Sequence, residues 1–110
     1  MFRIYLEEAS IVTVIDCSET KNEYLGEVLF GVIKEDESFR YRPFEQVTTS
    51  KIVEVLEVDD KLEINTINGT CYIIDKELSF FAITAEELVI MKAGQYLPSR
   101  IIQLRTKHYL

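Results

Sequence analysis

The chain has 110 residues, 47% of them hydrophobic and 28% charged, and a formal charge of −7. That length fits one domain, residues 1–110, built on one core, and leaves no room for a second. Ordinary hydrophobic content with interspersed charge excludes a disordered acidic chain, a collagen and a disulfide-dense mini-protein.

Taken in chain order, the signals are mostly those of strands. Met1–Glu8 places two carboxylates where a secretory leader requires an unbroken apolar segment, so a cytoplasmic protein is expected. Phe2, Ile4 and Leu6 alternate with Arg3 and Tyr5 and predict a first strand. Ile11–Ile15 predicts another, and Leu25–Ile33 a longer one in which Gly26 and Gly31 suggest bends. Polar connections are expected at Ser18–Glu23 and Glu35–Ser38. The cluster Arg40-Tyr41-Arg42-Pro43-Phe44 reads as an exposed strand end, with Pro43 blocking further pairing.

From Lys51 to Asp75 the chain reads as two successive hairpins. Asn68-Gly69 is a strong two-residue turn signal because both positions tolerate positive φ, and it pairs Thr66 with Cys71 and Ile64 with Ile73. A second two-residue turn at Asp59-Asp60 pairs Glu57 with Leu62, Val55 with Ile64 and Val53 with Thr66. Opposed residues share a face, so Val53, Val55, Leu62, Ile64, Cys71 and Ile73 are expected to form one apolar face. Glu54, Asn65 and Tyr72 then fall together on the other face as a candidate polar contact surface.

Leu78–Ile83 continues apolar, and Thr84-Ala85-Glu86-Glu87 has the form of a capping box, which predicts one short helix over Ala85–Ala93. Pro98 precedes a last expected strand, Arg100–Leu104. The fold expected is all-β or nearly so, a small curled antiparallel sheet or barrel with one short C-terminal helix.

Site signals are sparse. The only histidine is His108, read as an exposed tail residue, which leaves a triad or a multi-histidine metal site without material. Cys17 and Cys71 lack a partner at metal-ligand spacing and read as reduced, packed thiols. Adjacent carboxylates, such as Glu35-Asp36-Glu37 and Asp59-Asp60, read as solvated charge. No pattern requires a cofactor or a metal. The apolar stretches Ala9–Ile15 and Leu78–Ala85 are far shorter than the roughly 18–20 residues of a membrane helix, so no membrane association is expected.

Residues 1–87 hold all 19 acidic and 8 of the 12 basic residues, a net of −11, whereas residues 88–110 hold four basic residues and no acid, a net of +4. Such an acidic body repels phosphate backbones and argues against nucleic acid as a partner, despite the Arg40–Phe44 cluster. Thr49-Ser50 leading into an apolar strand, with Thr66-Ile67-Asn68-Gly69-Thr70-Cys71-Tyr72 beyond it, resembles a hairpin pattern of short bacterial and phage proteins. The resemblance covers about a quarter of the chain and implies a small β protein without activity or site residues.

The expected function is therefore a non-catalytic domain that binds another protein or itself. Arg40, Tyr41, Arg42, Phe44, Glu54, Asn65 and Tyr72 are its candidate contact surface. An acidic inhibitor that presents charge as nucleic acid does, and a small-ligand-binding barrel or carboxylate enzyme, are the alternatives.

Overall fold

The computed structural model describes residues 3–17 and 21–108. They form six strands and two helices in the order β1 (Arg3–Cys17), β2 (Asn22–Asp36), β3 (Gln46–Val58), β4 (Lys61–Thr66), β5 (Cys71–Asp75), β6 (Ser79–Thr84), α1 (Ala85–Gly94) and α2 (Pro98–His108). The first two predicted strands are thus one continuous strand of 15 residues.

Neighbouring strands run β2-β3-β4-β5-β1-β6, and β1 also pairs with β2, so β1 to β5 close into a ring of hydrogen bonds. Closure comes from the parallel pairs Arg3–Cys71, Ile4–Tyr72 and Tyr5–Ile73. Farther along, β1 leaves β5 and pairs in parallel with β6 from Ser10–Ser79 to Ile15–Thr84. The sheet is therefore mixed rather than wholly antiparallel. Between the two halves, the β1–β2 register shifts from Glu7–Val32 to Ser10–Phe30, and Glu8 adopts φ 52°. This bulge turns β1 from one partner to the other. Gly31 lies opposite it, where an added Cβ would come within 2.9 Å of Leu6 Cδ1, so the ribbon needs a residue without a side chain there.

Two cores result instead of the one expected. Inside the ring, Ile4, Leu6, Ile11, Leu29, Ile33, Val47, Ile64, Tyr72 and Ile74 pack together. On the opposite face of the β1–β2 ribbon, Val12, Val14, Val28 and Phe30 pack against Ile83, Met91 and Ile101 of β6, α1 and α2. The successive residues Ile11-Val12 and Leu29-Phe30 therefore point into different cores, which explains the unbroken apolar runs: a strand covered on both sides has no polar face.

The hairpin registers were half legible. At Asp59, which takes φ 55°, the predicted pairs Glu57–Leu62 and Val55–Ile64 form. A bulge at Val53 then displaces the expected Val53–Thr66 pair, and Thr66 faces Ile52. At the second turn the loop holds three residues, Ile67 to Gly69, rather than two. The Gly69 amide donates to the Thr66 carbonyl at 2.9 Å, the Thr66 amide to the Thr70 carbonyl at 3.1 Å, and Gly69 sits at φ 82°. Asn-Gly satisfies this turn as well, because the left-handed position falls on the glycine alone. The one-residue slip pairs Ile64 with Tyr72 and Leu62 with Ile74, so Tyr72 and Ile74 enter the core, while Ile73 and Cys71 lie on the face of Glu63 and Asn65. The apolar face is thus Leu62, Ile64, Tyr72 and Ile74, and Val53 is exposed.

α1 begins as predicted. The Glu87 amide donates to Thr84 Oγ1 at 3.1 Å, and the Thr84 amide to Glu87 Oε1 at 2.9 Å. The predicted strand Arg100–Leu104 is instead part of α2, with Pro98 at the first helical position, where its missing amide costs nothing. Ile101 docks this helix on the second core, and Arg105 Nε donates to Glu87 Oε2 at 2.8 Å. Glu87 therefore caps one helix and fastens the other, and the Arg105 guanidinium together with the Thr84 bonds holds its carboxyl below the usual range despite partial burial. The expectations for Phe2 and for the His108 side chain lie outside the described residues, as does the 18–20 part of the Ser18–Glu23 connection. No described helix is long and apolar enough to cross a membrane.

The observed register makes Ile74→Ala cost about 3 kcal/mol as a buried truncation. The neighbouring Ile73→Ala should cost less than half as much, and denaturant midpoints of the two variants check the order. Glu87→Ala, which removes both the cap contact and the Arg105 partner, should lower stability by about 2 kcal/mol. The lowered carboxyl makes this contribution full above pH of about 4.5 and lost as pH falls through the folded value, so wild type and variant converge in acid.

Candidate functional site

β2 and β3 are joined by residues 37–45, and this connection carries four of the seven residues singled out from sequence. It is a loop, not the expected strand end. Its conformation is dictated by Asp36, the last residue of β2, whose carboxylate is turned inward and only 7% exposed. Asp36 Oδ1 accepts from the Ser38 amide at 2.8 Å and the Ser38 hydroxyl at 2.6 Å, and Oδ2 from the amides of Arg40 at 3.0 Å and Tyr41 at 2.9 Å. Burial alone would push this carboxyl up, but the bonds from Ser38, Tyr41 and Arg40 outweigh it and hold the group below its ordinary value.

The rest of the loop is tied down from both flanks. The Arg3 amide donates to Glu37 Oε1 at 2.8 Å, and the Arg42 amide to Glu45 Oε2 at 3.1 Å. Ile33 of β2 donates its amide to the Glu45 carbonyl at 2.8 Å and accepts from the Phe44 amide at 2.7 Å. Tyr41 turns back onto the ring core, and the Arg40 guanidinium sits 5.9 Å from its ring centroid while donating from Nε to Ser38 Oγ at 3.0 Å.

Out of this frame project two phenylalanines, Phe39 at 91% exposure and Phe44 at 80%. Both have left-handed backbones, with φ 59° and 73°. Bulky residues rarely adopt this region, at a cost of roughly 1–2 kcal/mol each. A loop selected for stability alone would carry glycine or asparagine there and would not expose either ring. No family model, curated protein or solved structure matches the chain.

The three remaining sequence candidates do not form a unit. Asn65 Nδ2 donates to Glu54 Oε1 at 3.3 Å on the outer face of the β3–β4 hairpin. Tyr72, shifted by the register slip, is on the other face and only 5% exposed. It belongs to the core against which Tyr41 packs, and burial, with Tyr41 nearby, pushes its phenol up to about 12. Tyr72 thus supports the Asp36 loop from beneath.

Asp36, Ser38 and Phe39 belong to this candidate site and are not among the residues singled out from sequence. Asp36-Glu37-Ser38 carries the signal of an aspartate bonding its own backbone two residues on, hidden within a run of acids that reads as solvated. Cys71 is buried and donates to Glu63 Oε1 at 3.1 Å; burial first, then that carboxylate, push its thiol up to about 12, so it presents no thiolate at neutral pH. A cleft of about 260 Å³ between α1 and the β2–β3 ladder is lined by Phe30, Val47, Thr48, Met91 and Lys92 among others, apart from the loop.

Asp36→Ala strips the partner from four part-buried donors and should cost about 2–3 kcal/mol in urea unfolding. Because the folded carboxyl is lowered, its contribution is complete above pH of about 4 and fades as pH falls through the folded value. The melting temperatures of wild type and Asp36→Asn should accordingly approach one another in acid.

Proposed function

We propose that the chain is a non-catalytic protein-interaction domain of the cytoplasm that engages another protein through residues 36–45. The observation that carries this reading is the pair of exposed phenylalanines held in left-handed backbone, Phe39 between the bonds of the buried Asp36 carboxylate to Ser38 and Arg40, and Phe44 by its amide bond to the Ile33 carbonyl. Strain kept at an exposed site, with no described residue packed over it to repay the cost, is a feature of functional loops. Aromatic anchors are the side chains that most often dominate binding energy, and arginines commonly accompany them. Phe39 and Phe44 would insert into apolar recesses of the partner, and Arg40 and Arg42 would meet carboxylates at their rim.

The rival reading, an acidic inhibitor that stands in for nucleic acid, rests on the charge of the body. It has only net charge behind it, and three of the 19 acids, Asp75, Glu57 and Glu87, are paired with Lys61, Lys76 and Arg105.

The test separates binding from folding. Phe39→Asn and Phe44→Gly suit the local backbone and should leave stability unchanged or raise it by up to about 1 kcal/mol. They should also abolish retention of the protein that wild type captures from its native host. Retention by both variants at wild-type strength would refute the assignment.

A further inference from the structure

The cleft of about 260 Å³ lies outside the ring core, between α1 and the β2–β3 ladder. Phe30 and Met91, both buried, give it an apolar floor. Gln46 and Thr48 of β3 and Gln95 at the end of α1 line it with neutral hydrogen-bonding groups, and Lys92 is the one charged residue among the described residues of its lining. Apolar walls with a few polar groups are the composition of small-molecule sites, and the volume falls just below the roughly 300–1,000 Å³ of sites for drug-sized ligands. Gln95 closes α1 in left-handed backbone, φ 54°, a place usually taken by glycine. The glycine stands one residue earlier, where an added Cβ would come within 2.3 Å of Tyr96 Cε2. Glycine thus serves the packing of Tyr96, and the strained position carries a side chain that lines the cleft, as strained residues at ligand sites do. Lys92 has no carboxylate partner among the described residues, and it belongs to a stretch, residues 88–110, that contains no acid. Glu45, the acid beside Gln46, accepts from the Arg42 amide at 3.1 Å.

We propose that this cleft binds a small carboxylate bearing an apolar ring or branched chain. The apolar part packs on Phe30 and Met91, and the carboxylate meets Lys92, with the side-chain amides of Gln46 and Gln95 and the Thr48 hydroxyl supplying neutral donors around it. One lysine is a compact point charge that balances a singly charged group, whereas a phosphate dianion would keep half its charge uncompensated in a partly apolar site. A neutral or cationic ligand of the same shape would leave Lys92 without a counter-charge or set it against a like one. The proposal does not rest on the role of Phe39 and Phe44.

Titration of benzoate and of isovalerate into the isotope-labelled chain near neutral pH, followed by NMR of the backbone amides, tests it. At least one of the two should saturate with a Kd of about 1 mM or tighter, as suits so small a ligand, and should shift the amides of Thr48, Lys92 and Gln95. The matching neutral amides, benzamide and isovaleramide, should bind about tenfold more weakly. Lys92→Met keeps the stem and removes the charge, so it should weaken the carboxylate about tenfold and leave the neutral amide unchanged. Gln95→Gly, which suits the left-handed backbone, should melt higher than wild type and bind about fivefold more weakly. No saturation by either carboxylate up to about 20 mM, shifts confined to residues outside the cleft, equal binding of carboxylate and amide, or unchanged affinity in either variant would overturn the proposal. Each of these outcomes leaves the reading of residues 36–45 intact.

Discussion

The three parallel pairs between Arg3–Tyr5 and Cys71–Ile73 close the ring, and the rest of the architecture follows from how β1 makes them. To reach β5 at one end and β6 at the other, β1 must bend, and it does so at Glu8, opposite a glycine that leaves room for Leu6. Bent this way, the β1–β2 ribbon becomes the wall between two cores. The ring needs the first half of β1 and the helices need the second. Losing the bulge would therefore disturb both, since a one-residue shift exchanges the sides on which Ile11 and Val12 lie.

Legibility followed the range of the signal. The Thr84–Glu87 cap and the turn at Asp59 are local, depend on residues within one turn of one another, and form as read. The Asn68-Gly69 turn is equally local, but two loop lengths satisfy it. The choice fell to the core, which takes Tyr72 and Ile74 in preference to Cys71 and Ile73. The closing of the sheet is non-local, and nothing within Arg3–Tyr5 announces it. The α2 segment is ambiguous in sequence because its apolar residues fit either period, and because Pro98 suits both a strand boundary and the first position of a helix, which it occupies.

The site shows the same division. The aromatic and basic cluster Arg40–Phe44 stood out as a composition, and it does lie together on one exposed loop. What gives the loop its shape, a carboxylate turned inward at Asp36, looked like one more surface acid. Tyr72, assigned to a different surface by a register one residue off, proved to be part of the loop's foundation.

The inward carboxylate has a consequence for kinetics. A loop whose four bonds to Asp36 are already formed has most of its conformational freedom spent, so a partner docking there, as proposed, would not need to freeze it. Preorganisation of this kind favours rigid, lock-and-key association over coupled folding, and it shifts the entropic cost of recognition from the moment of binding to the folding of the domain.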